Sequence, residues 1–454
     1  MANEVYQALL RELEERSIDY VLLRDELSQP SLIRDLDILI RKRQLPEFIA
    51  VARKHEFYLV KDGFLNPGKK VFYRIEKGQA WILDVHLKIV FRGLEFYSAD
   101  RCLNRRVRRN GFYYLSNEDF FFTLLFHNTL AKKLIQEKHR EVLRRLWREK
   151  LDWKYLMKQA RRYGIASELN FIGRHFENVI DSSRYIHKIA QKAKWKLKLR
   201  RPGNALRTWM IKWRKRRIRF WGRSRGIVIV FMGPDGAGKS TMIDTIHRIL
   251  KNAGLNVRVA YMGPWGGSIF NFKERLKWLN PDPYREDYKA YYAGKLSQKP
   301  GPLKGIKKIK LAFRSLVYYT TLIIEMYARW WIRILPHLRQ GYIVLADRYI
   351  YDILIGYKNR PMDYHVGIRK RICDAYPKPD LGILLYAPAE VIYARKPQVQ
   401  CQHLHRLLPE YQRVARRYHF YTLDTSRSVE HTLQIFQDQL LPGIVKLLSR
   451  RVTA

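Results

Sequence analysis

Hydrophobic and polar positions divide the chain into two patterned halves. In the first half, the runs RDLDILI, KKVFYRIE and QAWILDVHLKIV have strand-like patterns, and LPEFIAVARKHEF between them has the spacing of a helix. From Glu118 to His187 the apolar positions recur at helical spacing. The pattern predicts a small α/β domain over residues 1–105, followed by a helical extension over residues 106–187.

The second half begins near Gly226, where apolar strands start to alternate with helices. Strand GIVIVFM leads through a glycine-rich loop into the helix TMIDTIHRILKNAG, and the strands GYIVLA and DLGILLY follow later. Strands that alternate with helices form a parallel sheet with crossover helices on its faces. We therefore expect a second α/β domain over residues 226–454.

The most apolar stretch, residues 311–335, is a candidate for either a buried helix or a membrane span. It contains Arg314, Glu325, Arg329 and Arg333. Charged side chains are costly at the centre of a bilayer. The stretch therefore predicts a buried helix of the second domain.

Composition agrees with two globular domains and adds a strong charge. A chain of 454 residues is too long for one typical core, and 47% apolar residues suffice to build two. Lys and Arg number 87 against 42 Asp and Glu, which gives a formal net charge of +45. Such a field attracts polyanions, namely nucleic acid, anionic lipid or phosphorylated substrates, although it also fits a basic protein whose charge reflects only its host's composition.

The cysteines and the N-terminal segment indicate the cellular compartment of the protein. Cys102, Cys373 and Cys401 are far apart and lack the spacing of a zinc site or a disulfide framework. The segment MANEVYQALLRELEERS has the pattern of an amphipathic helix with acidic residues, not of a secretory signal. We expect a cytoplasmic protein.

Residues 188–225 contain no acidic residue and form the predicted linker. Basic residues alternate there with Trp195, Trp209, Trp213, Phe220 and Trp221. Basic side chains beside tryptophans suit the inner face of an anionic membrane, which is the interpretation we favour. The same residues also suit a nucleic-acid backbone with stacked bases, or helices whose tryptophans pack on the adjoining domains.

The glycine-rich loop of the second domain has the pattern of a phosphate-binding loop. It reads GPDGAGKST between a strand and a helix, so backbone N–H groups and the helix N-terminus can face the phosphates of ATP. We expect Lys239 to contact the β and γ phosphates and Ser240 to ligate Mg²⁺. The predicted nucleotide-binding residues are Gly233, Asp235, Gly236, Ala237, Gly238, Lys239, Ser240 and Thr241.

A second pair of candidate site residues, Asp347 and Arg348, follows the strand GYIVLA. A carboxylate at this edge can hold the Mg²⁺ shell, and a guanidinium beside it can clamp a phosphate. Basic side chains further on are candidates for a lid over the phosphates, namely Arg395, Lys396, Arg406 and Arg413. The predicted catalytic set is Lys239, Asp347, Arg348 and Arg395.

Residues 226–445 resemble the thymidylate kinase family through four segments, namely GPDGAGKST, the DRY strand end, the PKPD strand and the RK-containing lid region. The resemblance implies that Asp235 faces the acceptor sugar and that Arg348 binds the acceptor phosphate. After DRY, however, the chain reads Ile350-Tyr-Asp-Ile-Leu-Ile-Gly356, where the family has a serine and an Ala-Tyr-Gln stretch. The acceptor is therefore open to a nucleoside monophosphate such as dTMP, another nucleotide, a sugar or a sugar phosphate. Trp265 of YMGPWGG is a candidate for stacking on its ring or for a place in the core.

The first domain has its own candidate site. Asp35 and Asp37 share one face of a strand, and Asp84 can come alongside from a neighbouring strand. Three carboxylates at this place are what a two-metal nucleotidyl-transfer site needs. The arrangement resembles the minimal nucleotidyltransferase family, with Leu23-Arg24-Asp25 where the family has a Gly-Ser pair. His86 is expected to be structural.

The leading hypothesis is an ATP- and Mg²⁺-dependent kinase of the thymidylate kinase type, joined to a nucleotidyltransferase-like domain and peripheral to the membrane. Fusions of these two types resemble bacterial proteins of cell-surface polysaccharide biosynthesis. The alternative is a nucleic-acid-associated ATP-binding protein whose first domain nucleotidylates RNA or protein.

Overall fold

The computed structural model describes residues 2–24, 35–76, 78–264, 266, 268–270, 305–355, 366–397 and 401–453. Contacts between residues divide the chain into two compact units. The N-terminal unit comprises Met1–Arg217 together with Val452–Ala454, and the C-terminal unit comprises Ile218–Arg451.

The N-terminal unit is built on a mixed sheet. Its strands are β1 (Tyr20–Leu22), β2 (Asp35–Ile40), β3 (Tyr58–Lys61), β4 (Lys69–Glu76), β5 (Gln79–His86), β6 (Ile89–Phe91), β7 (Leu94–Tyr97), β8 (Val107–Arg109) and β9 (Phe112–Tyr114). Seven of them form one sheet in the order β3-β4-β5-β2-β1-β9-β8, and β6 pairs with β7 separately. β2 runs parallel to β5 and antiparallel to β1. The strands predicted from RDLDILI and KKVFYRIE are confirmed, whereas the strand predicted from QAWILDVHLKIV divides into β5 and β6.

Helices lie on both faces of this sheet: the first two on one face, and later ones against Val21 and Leu39 on the other, where they form a helical region. They are α1 (Ala2–Glu15), α2 (Leu45–Lys54), α3 (Ala99–Asn104), α4 (Asn117–His127), α5 (Glu137–Arg148), α6 (Trp153–Tyr163), α7 (Ala166–Arg174), α8 (Phe176–Asp181), α9 (Ser183–Arg200) and α10 (Pro202–Arg217). Leu10 of α1 and Val51 of α2 pack on Ile38 and Leu83 of the sheet, in one buried cluster. Because side chains alternate across a strand, this packing leaves Asp35 and Asp37 on the other face.

Residues 188–217 of the predicted linker lie in α9 and α10 of the N-terminal unit. Asn204, near the start of α10, is completely buried. Its side-chain amide donates to the carbonyl oxygens of Leu197 (2.9 Å) and Glu95 (3.1 Å), and its Oδ1 accepts from the Glu95 backbone N–H at 3.1 Å. These bonds tie α9, α10 and β7 together.

The C-terminal unit is built on a parallel sheet. Its strands are β10 (Ile227–Met232), β11 (Val257–Tyr261), β12 (Ile343–Asp347), β13 (Leu381–Tyr386) and β14 (Tyr421–Asp424). They pair in the order β11-β12-β10-β13-β14, and every pair is parallel. The described helices are α11 (Lys239–Asn252), α12 (Gly305–Arg329), α13 (Leu335–Arg339), α14 (Val366–Ala375), α15 (Ala389–Arg395), α16 (Cys401–Arg417), α17 (Val429–Ile435) and α18 (Leu441–Thr453). The predicted α/β fold with a parallel sheet is confirmed.

Helix α12 contains most of the apolar stretch that predicted a buried helix. One face is buried through Tyr319 and Met326, but Phe313 and Ile324 are exposed to 61% and 48%. The prediction is therefore right for one face and wrong for the other, because an apolar run does not show which of its sides the fold covers. No helix in the described ranges is long and apolar enough to cross a bilayer.

Candidate functional site

The glycine-rich loop lies at the point where the order of the C-terminal sheet reverses. From β10 the chain crosses to β11, which lies beyond β12, whereas from β12 it crosses to β13 on the other side of β10. The connections therefore leave the neighbouring strands β10 and β12 in opposite directions. In open parallel sheets such a point opens a crevice beyond the carboxyl ends of the strands, and ligands bind there. β10 ends at Met232, and the loop from Gly233 to Gly238 occupies this position.

Two glycines of the loop are required by its geometry. Gly233 has φ of +148°, and a Cβ there would lie 2.7 Å from the carbonyl oxygen of Leu385. Gly236 has φ of +91°, and a Cβ there would lie 3.0 Å from Cγ2 of Ile392. Side chains at either position would be strained in the backbone and crowded by β13 or α15. The loop thus keeps its backbone free of side chains where phosphates would approach.

Lys239 begins α11 and is buried beneath the loop. Its Nζ donates to the carbonyl oxygens of Gly233 (2.9 Å) and Pro234 (2.8 Å), and lies 3.7 Å from Asp235 Oδ1. Burial, with the charge of Arg348 added, lowers the pKa of Lys239 to about 8. The ammonium is thus held inside the loop near neutral pH, next to Ser240 and Thr241, which are exposed at the start of the helix.

Asp347 ends β12 directly beside β10. It is paired with Phe231 of β10 and with Tyr261 of β11. Its Oδ1 is buried and has no hydrogen-bond partner among the described residues. Burial raises the pKa of Asp347 although Lys239 and Arg348 counteract it. Buried polar atoms in folded proteins normally have a hydrogen-bond partner. A buried carboxylate oxygen without one at this edge is therefore suited to bind a divalent cation.

Arg348 is fixed by two carboxylates and a strained backbone. It has φ of +63°, in the left-handed region that non-glycine residues rarely occupy. Its Nη1 donates to Asp352 Oδ2 at 2.8 Å, and its Nη2 donates to Asp235 Oδ1. Burial opposes the charge of Arg348, but Asp352 and Asp235 raise its pKa. The completely buried Asp352 was missed in the sequence, although its spacing of four from Arg348 was a usable signal.

The lid candidates take different positions. Arg395 donates to the carbonyl oxygen of Thr425 at 2.7 Å. The charge of Lys396, by contrast, acts on Asp235: burial raises the pKa of Asp235, but Arg348, Lys239 and Lys396 together leave it lowered. Arg406 and Arg413 are exposed on α16. Among these four, Lys396 is therefore the side chain that the structure brings to the glycine-rich loop.

The segment after β11 is anchored by a buried ion pair of α12. Arg329 Nε donates to Glu325 at 2.8 Å, and Arg329 Nη1 donates to the Gly263 carbonyl oxygen at 2.6 Å. Tyr261 and Arg348 both reach this segment, because a Cβ at Gly263 would lie 2.5 Å from the Tyr261 hydroxyl oxygen and 2.9 Å from Arg348 Cδ. Trp265 lies outside the described residues.

The candidate site of the N-terminal unit lies on the face of the sheet opposite α1 and α2. Asp37 is paired with Asp84 across the parallel strands β2 and β5, and Asp35 with Ile82. His86 Nε2 lies 3.1 Å from Asp37 Oδ1, and Arg24 Nε lies 3.2 Å from Asp37 Oδ2. Burial acts to raise the pKa of Asp37, but His86, Arg24 and Lys69 outweigh it and leave the pKa lowered.

These carboxylates are held by cations of the chain. Lys69 of β4 forms a salt bridge with Asp84, and His86, expected to be structural, contacts Asp37 directly. In the described part of the chain, three metal-ligating side chains come within 4.8 Å of one another at Glu390, Cys401 and His405. Asp35, Asp37 and Asp84 lie on one face of β2 and β5, and Asp37 is paired directly with Asp84. Their role as a metal site stays a prediction. Asp25, the third residue of the predicted phosphate-loop replacement, lies outside the described residues.

Comparisons with known proteins agree with both resemblances. Residues 4–180 match the model of a family described as uncharacterised nucleotidyltransferase. The chain is also 26% identical, over 196 residues, to a probable thymidylate kinase of Staphylothermus marinus, and the match covers 42% of this chain and 76% of that protein. The predicted resemblance of the N-terminal domain to nucleotidyltransferases is confirmed. Together the findings support a nucleotide-related transferase.

Proposed function

We propose that the C-terminal unit transfers a phosphoryl group from ATP to a small acceptor. The observation that carries the proposal is the convergence of Lys239, the orphaned oxygen of Asp347 and the fixed guanidinium of Arg348 at the reversal point of the parallel sheet. The similarity to a probable thymidylate kinase supports it. A cation, a carboxylate and a second cation are the parts that phosphoryl transfer needs, because its catalysis is mainly positioning and charge stabilisation.

ATP binding would use the loop and the first turn of α11. The backbone N–H groups from Gly236 to Thr241 and the positive end of the helix suit the phosphates. Lys239 would exchange the carbonyl oxygens of Gly233 and Pro234 for phosphate oxygens. That exchange is favourable because a charged acceptor binds an ammonium more strongly than a carbonyl does.

The residues also fit a magnesium ion. Ser240 and Asp347 would hold it, and the ion would supply positive charge beside the phosphates. Asp347 is suited to this role because its Oδ1 has no other partner in the described part of the chain.

The acceptor would bind on the side of Arg348. Asp352 fixes one end of its guanidinium, while the other end contacts Asp235, which is half exposed. An acceptor phosphate could therefore take the place of Asp235 without disturbing the buried pair. Tyr261 beside Arg348 supplies a ring that could pack against a nucleoside or a sugar. The acceptor classes that fit are a nucleoside monophosphate such as dTMP, a sugar and a sugar phosphate.

Release of ADP by the purified protein, with ATP and Mg²⁺, tests the proposal across a panel of nucleoside monophosphates, sugars and sugar phosphates. We expect acceptor-dependent turnover that disappears in Lys239→Ala. Lys251→Ala is the matched control, because Lys251 lies at the exposed end of the same helix. Turnover on thymidylate would define a nucleotide kinase, whereas turnover only on a sugar would place the activity in glycan precursor synthesis. Turnover by Lys239→Ala equal to that of the unchanged protein would contradict the proposal.

A second candidate function is nucleotidyl transfer to RNA or protein by the N-terminal unit. The match of residues 4–180 and the pairing of Asp37 with Asp84 favour it. It requires a conformer in which Lys69 releases Asp84. Transfer of the α-phosphate label of a nucleoside triphosphate to an RNA or protein acceptor, lost in Asp37→Asn, would support it; absence of labelling with every triphosphate would rule it out.

A further inference from the structure

The helical hairpin of α9 and α10 presents large apolar side chains to solvent. On α9, Trp195 and Leu199 are exposed to 64% and 59%. On α10, Leu206, Trp209 and Trp213 are exposed to 58%, 59% and 45%. Their spacings, four residues on α9 and three then four on α10, place them on one stripe of each helix. We call these five residues the apolar stripe.

The apolar stripe is not needed to fold the hairpin. The opposite face of each helix already packs on the N-terminal unit, through Ala193 and Leu197 of α9 and Ile211 of α10, which are buried. Asn204 fixes the connection between the helices through its hydrogen bonds with Leu197 and Glu95. Large apolar side chains that a fold leaves in water on a rigid element mark an interaction surface.

Basic side chains surround the apolar stripe, and residues 188–217 contain no acidic residue. Arg201 and Arg207 form ion pairs with Glu95, and Lys196 with Glu168, so these three serve the fold. Other basic side chains of the same segment are exposed, namely Lys188, Lys192, Arg200, Lys212, Lys215, Arg216 and Arg217. The partner of this surface must therefore be anionic and must also accept apolar side chains.

We propose that the α9–α10 hairpin binds the surface of an anionic lipid bilayer. Tryptophan prefers the boundary between headgroups and acyl chains, and basic residues on an amphipathic helix contribute about 1 kcal/mol each near an anionic leaflet. Leu199 and Leu206 reach an apolar phase only if that boundary covers them. The helices lie on the bilayer and do not cross it, because one face of each is already packed on the unit.

Two other occupants fit the surface less well. Nucleic acid would need free ring faces for stacking. The rings of Trp209 and Trp213 stack on each other with their centroids 6.3 Å apart, and Cζ of Arg217 lies 5.1 Å from the centroid of the Trp213 ring. The exposed leucines also have no role against a phosphate backbone. A second copy of the chain would bring two surfaces of the same positive charge together, which opposes association.

Flotation of the full-length protein with vesicles tests the proposal. One set of vesicles contains phosphatidylcholine alone, and the other contains equal parts of phosphatidylcholine and phosphatidylserine. We expect binding to the second set only, and a loss of binding at high salt. The double variants Trp209→Ala/Trp213→Ala and Lys212→Gln/Lys215→Gln should each reduce binding about tenfold or more. Both pairs are exposed, and circular dichroism of the variants checks that the fold is unchanged.

Trp331→Ala provides the matched control, because Trp331 is exposed to 63% in the C-terminal unit. It should bind vesicles as the unchanged protein does. Equal binding to both sets of vesicles, or unchanged binding by either double variant, would overturn the proposal. A single-stranded RNA probe distinguishes the other partner: RNA binding that depends on Trp209 and Trp213, without vesicle binding, would contradict a lipid surface.

Discussion

At the residue scale, the C-terminal unit holds one arginine in a strained backbone and surrounds it with carboxylates. Arg348 has φ of +63°, which costs on the order of 1–3 kcal/mol and persists only where its surroundings fix it. Asp352 and Asp235 supply that restraint through both ends of the guanidinium. Strain of this kind commonly occurs at functional sites, and here it aims the side chain across the mouth of the glycine-rich loop.

Replacing the buried partner of this arginine should damage both stability and phosphoryl transfer. In Asp352→Asn, the guanidinium of Arg348 keeps its charge but loses the carboxylate that offsets it. We expect the free energy of unfolding to fall by about 3 kcal/mol, because a buried charge without its partner is costly. Urea unfolding measures this, and turnover should fall at the same time.

The exposed ion pair between Asp374 and Arg417, at 2.9 Å, offers the comparison. Asp374→Asn should change stability and turnover very little, because exposed pairs contribute little. If the two variants unfolded at the same urea concentration, Asp352 would not have the role assigned to it.

The lowered pKa of Lys239 predicts how ATP affinity depends on pH. Phosphates bind the charged form of this lysine, and in the free protein its pKa is about 8 against an ordinary value of about 10.4. Above about pH 8 the lysine must take up a proton on binding, so the dissociation constant for ATP should rise, by up to about tenfold for each pH unit. Calorimetric titration from about pH 7 to about pH 10 measures it.

The variant Lys239→Met is the reference for that titration. It should bind ATP weakly at every pH and should lack the rise above about pH 8, because no proton is taken up. A dissociation constant that stays level in the unchanged protein would show that Lys239 is not the group that meets the phosphates.

At the scale of elements, the sequence predicted local patterns and the approach of Asp84 to Asp37, but not the other contacts between distant segments. The strand β5 follows from alternation and β10 from a fully apolar run, and α11 follows from the loop before it. The pairing of Lys69 with Asp84 depends on the register between β4 and β5, which no single segment specifies. For that reason the sequence predicted converging carboxylates, whereas the structure adds the cations that neutralise them.

The hairpin of α9 and α10 illustrates the same limit. The basic composition of residues 188–225 predicted a linker, and composition alone could not show that Asn204 joins the two helices to β7. Buried amides bonded in this way are hard to replace, since each lost bond leaves a backbone group without a partner.

Removing that amide should weaken the hairpin. In Asn204→Ala, we expect the free energy of unfolding of the N-terminal unit to fall by about 2–3 kcal/mol, because two carbonyl groups and one N–H group lose a buried partner. Amide hydrogen exchange in α9 and α10 should accelerate correspondingly. Gln191→Ala, an exposed position on α9, is the control and should leave exchange unchanged. Equal exchange rates in both variants would contradict the assigned role of Asn204.

At the scale of the whole molecule, the two units carry separate nucleotide-related folds. The N-terminal unit contains all of the residues that match a nucleotidyltransferase family, and the C-terminal unit contains the glycine-rich loop. The net charge of +45 gives the molecule a field that attracts anions in general. Such a field raises encounter rates for every anionic ligand, so selectivity among them must come from the geometry of each site.

Transfer of the labelled γ-phosphate of ATP to the acceptor, in a single turnover, tests the central claim most directly. The unchanged protein and Lys251→Ala should form labelled product at the same rate. Lys239→Ala and Asp347→Asn should each slow the transfer by at least about a hundredfold, because the first removes a cation that stabilises the transferring phosphoryl group and the second removes the carboxylate proposed to hold magnesium. Labelled product formed by Lys239→Ala at the rate of the unchanged protein would contradict phosphoryl transfer at the glycine-rich loop.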